Sequence, residues 1–218
     1  MQQILVYADS LSWGIVPNTR DRFPFAIRWP GVLEKALLDH GLRVRIIEDC
    51  LNGRRTAFDD PFKPGRNGLE GLEQRIEVNS PLRLVILFLG ANDFQSMYTH
   101  NAWHSAQGIA ALVDAIRRAP IEPGMPTPEI LVVAPPPVRQ PRGPIAPKFI
   151  GAETKSVGLA AAYAEIARER GCEFFDAGQI TPTSAVDGVH LDADQHQALG
   201  FALATVVAKF IESSSSSS

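Results

Sequence analysis

The sequence has 218 residues, 45% of them hydrophobic, and its 21 basic and 24 acidic side chains give a formal net charge of −3. This length suits one globular domain with a sizeable core. The charges are nearly balanced and form no long basic run, so nucleic acid is not an expected partner. The longest strongly apolar stretch, 82–90, is about half of what a bilayer requires, so no membrane association is expected either.

The first residues, MQQILVYADS, lack the charged, apolar and small-residue regions of a signal peptide, so we expect a cytoplasmic location. The two cysteines, Cys50 and Cys172, are too few for a disulfide framework and have no zinc-binding spacing, and we interpret them as reduced thiols. Six serines at 213–218 have nothing to bury and are interpreted as a disordered tail or a cloning remnant. A single domain is therefore predicted over residues 1–212.

Short apolar runs alternate with segments of helical period, which predicts βα units and a mainly parallel sheet. The predicted strands are residues 4–7, 44–47, 84–89, 130–134 and 174–175. The predicted helices are residues 30–41, 69–76, 109–116, 151–170 and 199–211. The pattern is that of a three-layer, doubly wound α/β fold, in which ligands bind beyond the carboxyl ends of the strands.

Two stretches are predicted to be irregular connections. Residues 52–67 contain two prolines, two glycines and several charges without apolar periodicity. Loops of this length in compact domains are often functional. Ten of the 17 prolines lie between Pro120 and Pro147 and flank the fourth predicted strand, which excludes regular helix on either side of it.

Four short polar segments contain side chains suited to catalysis, and three of them directly follow predicted strands. Ser10, in ADSLSWG, would present its hydroxyl at the sheet edge, although a serine there equally suits a helix cap. Gly53, in NGRRT, would let a ligand approach the backbone and its amide. Asn92, in GANDF, has a side-chain amide that can donate to an oxyanion, but an asparagine after a strand is also a common turn former.

The fourth segment is DGVH, residues 187–190, in the polar stretch before the last helix. An Asp and a His with this separation can meet across one turn, so that Asp187 orients the ring of His190 and the other ring nitrogen faces a nucleophile. Of the remaining histidines, His40 and His196 are expected on the surface at helix ends. The final two, His100 and His104, are one turn apart but have no third metal ligand nearby, so no metal site is predicted.

Together the blocks ADSL, NGRR, GAND and DGVH resemble those of the SGNH hydrolase family, also called GDSL esterases. The segments DSLSWG, WPGVL, GRRT, VVAPPP and FFDAG look most like its bacterial arylesterase and acyltransferase branch. This resemblance implies a flavodoxin-like sheet of order 2-1-3-4-5, hydrolysis of small carboxylic esters and no metal or other cofactor. One position departs from the family: Ala8 stands where a glycine is usual, so the backbone there is either ordinary or slightly strained.

The catalytic hypothesis is that Ser10 attacks an ester carbonyl, His190 carries the proton to the leaving alcohol, and Asp187 orients the ring. The amides of Ser10 and Gly53 and the side chain of Asn92 would hold the oxyanion.

Five apolar residues near the strand-end loops are candidates for a narrow acyl pocket, with ordinary packing as the alternative for each. These candidates are Trp13, Phe94, Phe149, Ile150 and Val189. A narrow pocket would favour short acyl chains and aryl leaving groups. The resemblance also raises acyl transfer to alcohols or to peroxide as an activity beside hydrolysis.

Two alternative functions stay open. The first alternative is a carbohydrate deacetylase or lysophospholipase of the same fold, in which Arg54 and Arg55 would bind an anionic substrate. The more distant one is a non-catalytic binding module on a flavodoxin-like fold. Two loop regions are more apolar than the surface of a monomer requires. They contain the aromatic residues Phe23, Phe25 and Trp29 and the segment 135–147. This apolar surface predicts a homo-oligomer.

Overall fold

Five parallel strands form one sheet in the order β2-β1-β3-β4-β5. The strands are β1 (Gln2–Ala8), β2 (Val44–Cys50), β3 (Leu84–Phe88), β4 (Glu129–Ala134) and β5 (Glu173–Asp176). This computed structural model describes residues 1–213 of the chain. The predicted α/β class and strand order are confirmed, and β2 is longer than its apolar core predicted because its last residues pair with β1 up to Cys50.

Helices connect the strands and cover both faces of the sheet. They are α1 (Ser10–Trp13), α2 (Trp29–Asp39), α3 (Leu72–Asn79), α4 (Ala102–Arg118), α5 (Ala146–Phe149), α6 (Ala152–Lys155), α7 (Leu159–Glu169) and α8 (Ala193–Ser213). The helix predicted over 151–170 is divided into α6, which ends at Lys155, and α7, whose N-cap Gly158 adopts a φ of 84° that does not continue a helix. Helix α8 includes Ser213, the first residue of the predicted tail, and residues 214–218 lie outside the described residues.

Alternate residues of the strands face opposite helical layers, as the pleat requires. In β1, Ile4 and Val6 share a core with α2 and α8, whereas Leu5 and Tyr7 share the other core with α3, α4 and α7. The two cores explain why the central strands are nearly unbroken apolar runs.

The order of the sheet determines where a ligand site can form. The chain runs from β1 outward to β2 and then crosses back to β3 on the other side of β1. The loops after these three strands therefore meet at one carboxyl edge, which is the switch point where doubly wound folds bind ligands. Within residues 1–213, no helix is long and apolar enough to cross a bilayer.

Candidate active site

Ser10 is the first residue of α1 and lies directly beyond the end of β1. Asp9 caps this one-turn helix, because its Oδ1 accepts a hydrogen bond of 2.9 Å from the backbone N–H of Leu11. Gly14 ends the helix with a φ of 86°. Ser10 is thus held at the carboxyl edge of the sheet, largely buried by the loops around it.

Ala8, at the usual position of a family glycine, is an ordinary strand residue. It is the last residue of β1 and pairs with Cys50 of β2 and with Phe88 of β3. Extended backbone of this kind accommodates any side chain, so the turn that follows begins without strain at Ala8.

Asp187 and His190 form a hydrogen-bonded pair. Asp187 Oδ2 lies 2.7 Å from His190 Nδ1, and Asp187 Oδ1 accepts the backbone N–H groups of Val189 and His190, each at 2.9 Å. Burial alone raises the pKa of Asp187, but the hydrogen bond and charge of His190, with these two amides, outweigh it and bring that pKa below its ordinary value. An ionised Asp187 orients the ring and leaves Nε2 as the basic nitrogen.

The turn that carries this pair is held against the Pro-rich segment after β4. Arg139 donates its backbone N–H to Gly188 O and Arg142 donates to Asp187 O, both at 2.9 Å. Gly188 adopts a φ of 78°, and a Cβ atom there would lie 2.5 Å from the carbonyl oxygen of Gln140. Only glycine fits so close an approach, so the turn and the Pro-rich segment can pack directly against each other.

Asn92 lies in a 3₁₀ turn, Ala91–Phe94, that follows β3. Its Nδ2 donates to Asp9 Oδ2 at 2.9 Å and to the backbone oxygen of Arg54 at 3.2 Å, while its Oδ1 accepts from Gln95 Nε2 at 3.0 Å. One side chain therefore connects the loops after β1, β2 and β3. Both amide hydrogens already have acceptors, so an oxyanion has to replace one of these two hydrogen bonds.

Asp9 is a buried carboxylate close to the site. Burial raises its pKa to about 6, against the opposing effects of the Leu11 amide, the charge of His190 and the hydrogen bond from Asn92. The carboxylate of Asp9 therefore lies within the electrostatic reach of the Asp187–His190 pair.

A cleft of about 270 Å³ brings the four predicted segments together, with Ser10, Gly53, Asn92, Asp187 and His190 in its wall. Gly53 has a φ of 85°, a conformation that favours glycine. The remaining lining residues are Ile15, Asn18, Thr19, Arg20, Asn52, Lys63, Pro144, Ile145, Lys148 and Phe149.

Among the five predicted pocket residues, only Phe149 lines this cleft. Phe94 and Val189 are buried in the core on the α4 side, because their short turns direct them inward. Ile150 is 65% exposed just beyond α5. Trp13 is half-buried outside the cleft, where the Arg22 guanidinium lies 4.7 Å from its ring centroid. For these four residues the prediction of pocket contact is wrong.

Sequence analysis missed the walls that come from distant parts of the chain. Ile15 follows the serine turn, and Pro144 and Ile145 belong to the Pro-rich segment, so they complete an apolar side with Phe149. Arg20, Lys63 and Lys148 supply positive charge, although no sequence motif marks them. The Pro-rich composition of residues 120–147 was the one available signal, and it indicated an irregular loop without showing which residues face the site.

Arg54 and Arg55 are structural, which overturns the hypothesis that they grip an anionic substrate. They are only 2% and 1% exposed. Arg54 donates to the backbone oxygens of Ala8 and Asp49 and forms an ion pair of 2.6 Å with the Asp49 carboxylate. Arg55 lies 3.5 Å from the ring centroid of Tyr98 and donates to the backbone oxygen of Asp59. Neither guanidinium faces the cleft.

Contrary to the surface position predicted for it, His196 is buried between α2 and α8. Its Nδ1 accepts the backbone N–H of Trp29 at 3.3 Å, and burial, with the charges of Arg28 and His190, lowers its pKa to about 3. A neutral His196 with this partner serves the packing of the two helices.

The other three histidines lie outside the cleft. His40 contacts the backbone oxygen of Ala36 at the end of α2, and His104 belongs to the cap of α4. His100 stacks on Phe58, with ring centroids 4.1 Å apart. Within residues 1–213, no cluster of three or more His, Cys, Asp or Glu side chains has the arrangement of a metal site.

Comparison with known proteins agrees with this geometry. The sequence profile of the GDSL-like lipase/acylhydrolase family matches residues 9–198. An arylesterase from Vibrio mimicus is 36% identical over 92 residues, a match that spans 42% of this chain and 38% of that protein. The chain thus matches well under two thirds of that relative's length.

Solved structures cover the chain more fully. The inhibitor-bound aryl esterase of M. smegmatis superimposes with a TM-score of 0.91 at 34% identity, covering 96% of this chain and all of that one. Est24, a carbohydrate acetylesterase from Sinorhizobium meliloti, gives a TM-score of 0.90 at 34% identity over 96% of this chain and 99% of its own. The chain belongs to the GDSL-like lipase/acylhydrolase family of SGNH-type ester hydrolases.

Proposed function

We propose that this protein is a serine esterase that hydrolyses short-chain carboxylic esters through an acyl-enzyme on Ser10. The observation that carries the proposal is the meeting of Ser10, His190 and Asp187 in one small cleft, with Asp187 bonded to His190 at 2.7 Å. Family membership and the arylesterase relatives support it, and they argue against a non-catalytic binding module.

In the first half of the reaction, Ser10 Oγ attacks the ester carbonyl and its proton passes to His190 Nε2. Asp187 stabilises the resulting imidazolium through the hydrogen bond at Nδ1. The tetrahedral intermediate then collapses, the alkoxide takes the proton from His190, and the alcohol leaves. In the second half, His190 takes a proton from a water molecule, the water attacks the acyl-enzyme, and the carboxylic acid leaves as Ser10 regains its proton.

The backbone amides of Ser10 and Gly53 and the side chain of Asn92 are the proposed oxyanion donors. Gln95 and Asp9 hold the Asn92 side chain at the site, and one of the two hydrogen bonds donated by Nδ2 is exchanged for a bond to the carbonyl oxygen as charge develops there. The replacement of Asp9 or Arg54 by the oxyanion, as an acceptor of the Asn92 amide, is then the main local change during the attack.

The cleft favours a short acyl group. Its volume of about 270 Å³ lies at the small end for ligand pockets, and Phe149 closes it as a buried wall. Acetate to butyrate esters with aryl or alkyl alcohols are the proposed substrates. Acetylated carbohydrates are a second candidate, because Est24 is a carbohydrate acetylesterase of nearly the same structure.

The decisive test is labelling with a fluorophosphonate followed by peptide mapping, paired with hydrolysis of p-nitrophenyl acetate. Labelling at Ser10, and its loss together with hydrolysis in Ser10→Ala, is the expected result. Full activity of folded Ser10→Ala would refute the assignment. Acetylated xylose tested beside the aryl ester separates the two substrate candidates.

We also propose transfer of the acyl group to alcohols or to peroxide, since a buried acyl-serine admits few water molecules at once. Measuring the ratio of ester formed to acid released, with a primary alcohol in the medium, tests it. Acid as the sole product at every alcohol concentration would refute it.

We further propose a cytoplasmic homo-oligomer built from one catalytic domain, residues 1–212. Trp29 is fully buried and contributes no surface, which corrects the argument from its sequence position. Instead, Phe62, Trp103 and Val157 are exposed by 79%, 62% and 74%, and large apolar side chains in contact with solvent support association. A monomeric mass by light scattering at micromolar concentration would refute oligomerisation.

A further inference from the structure

The cleft beside Ser10 is lined by three cationic side chains and one carboxylate. The cations are those of Arg20, Lys63 and Lys148, and the carboxylate is that of Asp187, which is already paired with His190. The pocket that should receive an ester therefore presents an excess of positive charge, even though the whole chain has a net charge of −3.

Lys148 is held in place by the backbone. It lies on α5, and Ser96 donates its N–H to the carbonyl oxygen of Lys148 at 2.7 Å and its hydroxyl to that of Pro147 at 2.8 Å. The side chain is half-buried, with its ammonium 5.9 Å from the ring centroid of Phe149. Lys148 therefore contributes positive charge next to Phe149, the apolar wall of the cleft.

Arg20 and Lys63 are exposed and come from two other loops. Within residues 1–213, neither they nor Lys148 has a carboxylate oxygen within ion-pair distance. The carboxylate of Asp60 acts on Lys148 from a longer distance, and its Oδ1 already accepts two backbone amides.

The electrostatics of Lys148 agree with this arrangement. Burial lowers its pKa, and repulsion from Lys63 and Arg20 lowers it further, while Asp60 and Asp9 act in the opposite direction. An anion bound among the three cations would relieve this repulsion.

We propose that the site selects short-chain esters whose alcohol half carries a carboxylate. The acyl half must lie against buried Ser10 and Phe149, so the alcohol half extends toward the exposed side of the cleft, where Arg20 and Lys63 lie. The proposal rests on the esterase function proposed above and names the substrate class of that site.

The test compares three acetate esters of one shape: 4-acetoxybenzoate, neutral 4-acetoxybenzamide and cationic 4-acetoxyphenyltrimethylammonium. Each kcat/KM is divided by the rate of hydroxide-catalysed hydrolysis of the same ester, which removes differences in leaving-group reactivity. At low ionic strength the anionic ester should exceed the neutral one by about tenfold and the cationic one by more. High salt should reduce both ratios.

The variant Lys148→Gln should reduce the anionic-to-neutral ratio about threefold to tenfold, chiefly through KM, and Lys148→Arg should restore it. Combining it with Arg20→Gln and Lys63→Gln should bring the ratio close to one. Lys35→Gln is the matched control, because Lys35 is an exposed lysine on α2 that pairs with Asp39.

Two failures are distinguishable. If all three esters are hydrolysed in a Ser10-dependent manner at equal normalised rates, or if the triple variant keeps the wild-type ratio, the substrate class is wrong and the esterase stands. If the protein hydrolyses neither these esters nor p-nitrophenyl acetate, both the proposed esterase function and the proposed substrate class are refuted.

Discussion

Asn92 Nδ2 donates a hydrogen bond of 2.9 Å to the carboxylate of Asp9, the residue that precedes Ser10. This bond joins the loop after β3 to the loop after β1, and a second bond from the same amide reaches Arg54 O in the loop after β2. The proposed oxyanion donor is therefore also the connection between the three loops of the site. A substitution of Asn92 therefore has a catalytic effect and a structural effect, which must be measured separately.

Asn92→Ala should reduce kcat/KM for p-nitrophenyl acetate on the order of 100- to 1000-fold, because it removes one oxyanion donor. It should also lower the free energy of unfolding by about 1–3 kcal/mol, since the Asp9 carboxylate loses a buried partner. Steady-state kinetics and urea denaturation measure the two effects. Unchanged kcat in a folded variant would exclude Asn92 from the oxyanion hole.

The buried carboxylate of Asp9 predicts a particular dependence of stability on pH. Its pKa in the folded protein, about 6, lies above the ordinary value of 3.8 for an aspartate, so the folded state favours the protonated form. Ionising Asp9 thus costs stability as the pH rises from about 4 to about 6, by about 3 kcal/mol at most, and the cost is constant above that window.

Asp9→Asn removes this titration and provides the measurement. The free energy of unfolding of the variant, minus that of wild type, should increase between pH 4 and pH 6 and then level off. Loss of the Asn92 contact would shift this difference by the same amount at every pH and would not change its slope. Urea denaturation of both proteins across this range gives the difference. A difference independent of pH would show that Asp9 does not titrate there.

The family resemblance implied the strand order, and the sequence pattern placed Ser10, Asn92 and His190 in loops beyond the strand ends. These residues follow buried strands or lie in a short turn, so their positions depend on local pattern and on the general geometry of parallel sheets. Ala8 was likewise interpretable, because one of the two expectations for it was ordinary strand backbone, which the structure has.

The walls of the cleft were not predictable in the same way. Phe94 and Val189 adjoin motif residues in sequence, but the direction of a side chain in a 3₁₀ turn or tight loop depends on packing rather than on periodicity. Lys148 enters the site because Ser96 bonds to the backbone at 147–148, a contact between distant segments. No local signal marks such a contact.

Asp187→Asn should reduce kcat/KM on the order of 10⁴-fold with little effect on KM, because the ring of His190 loses the acceptor that fixes its tautomer. The depressed pKa of Asp187 also contributes to stability above the unfolded-state pKa of about 4, and this contribution is lost as the pH falls through the folded value. The variant should therefore be less stable than wild type at pH 7, and the two free energies of unfolding should become similar at pH 3. Kinetics at pH 7 and denaturation at pH 7 and pH 3 test both statements.

Arg55→Ala should destabilise the protein while affecting charged and neutral esters equally. Arg55 lies 3.5 Å from the fully buried Asp93, and removing one partner of a buried ion pair costs about 3–5 kcal/mol. At about 2–4 °C per kcal/mol for a chain of this size, Tm should fall by roughly 10 °C. Calorimetry measures it, with the exposed Arg168→Ala as the control expected to stay within about 0.5 kcal/mol. Selective loss of activity on a charged ester would restore a direct substrate role for Arg55.

Phe149→Ala should shift the preference of the enzyme toward longer acyl chains. Phe149 is a buried wall of the cleft, so its removal opens space beside Ser10, whereas Ile150→Ala changes a residue that is 65% exposed and outside the cleft. In a p-nitrophenyl series from acetate to decanoate, wild type and Ile150→Ala should be most active at acetate to butyrate. Phe149→Ala should have its maximum at hexanoate or longer, with a loss of stability of about 3 kcal/mol from the cavity. Wild-type activity that rises steadily beyond octanoate would contradict the small acyl site, and an identical profile in both variants would remove Phe149 from its wall.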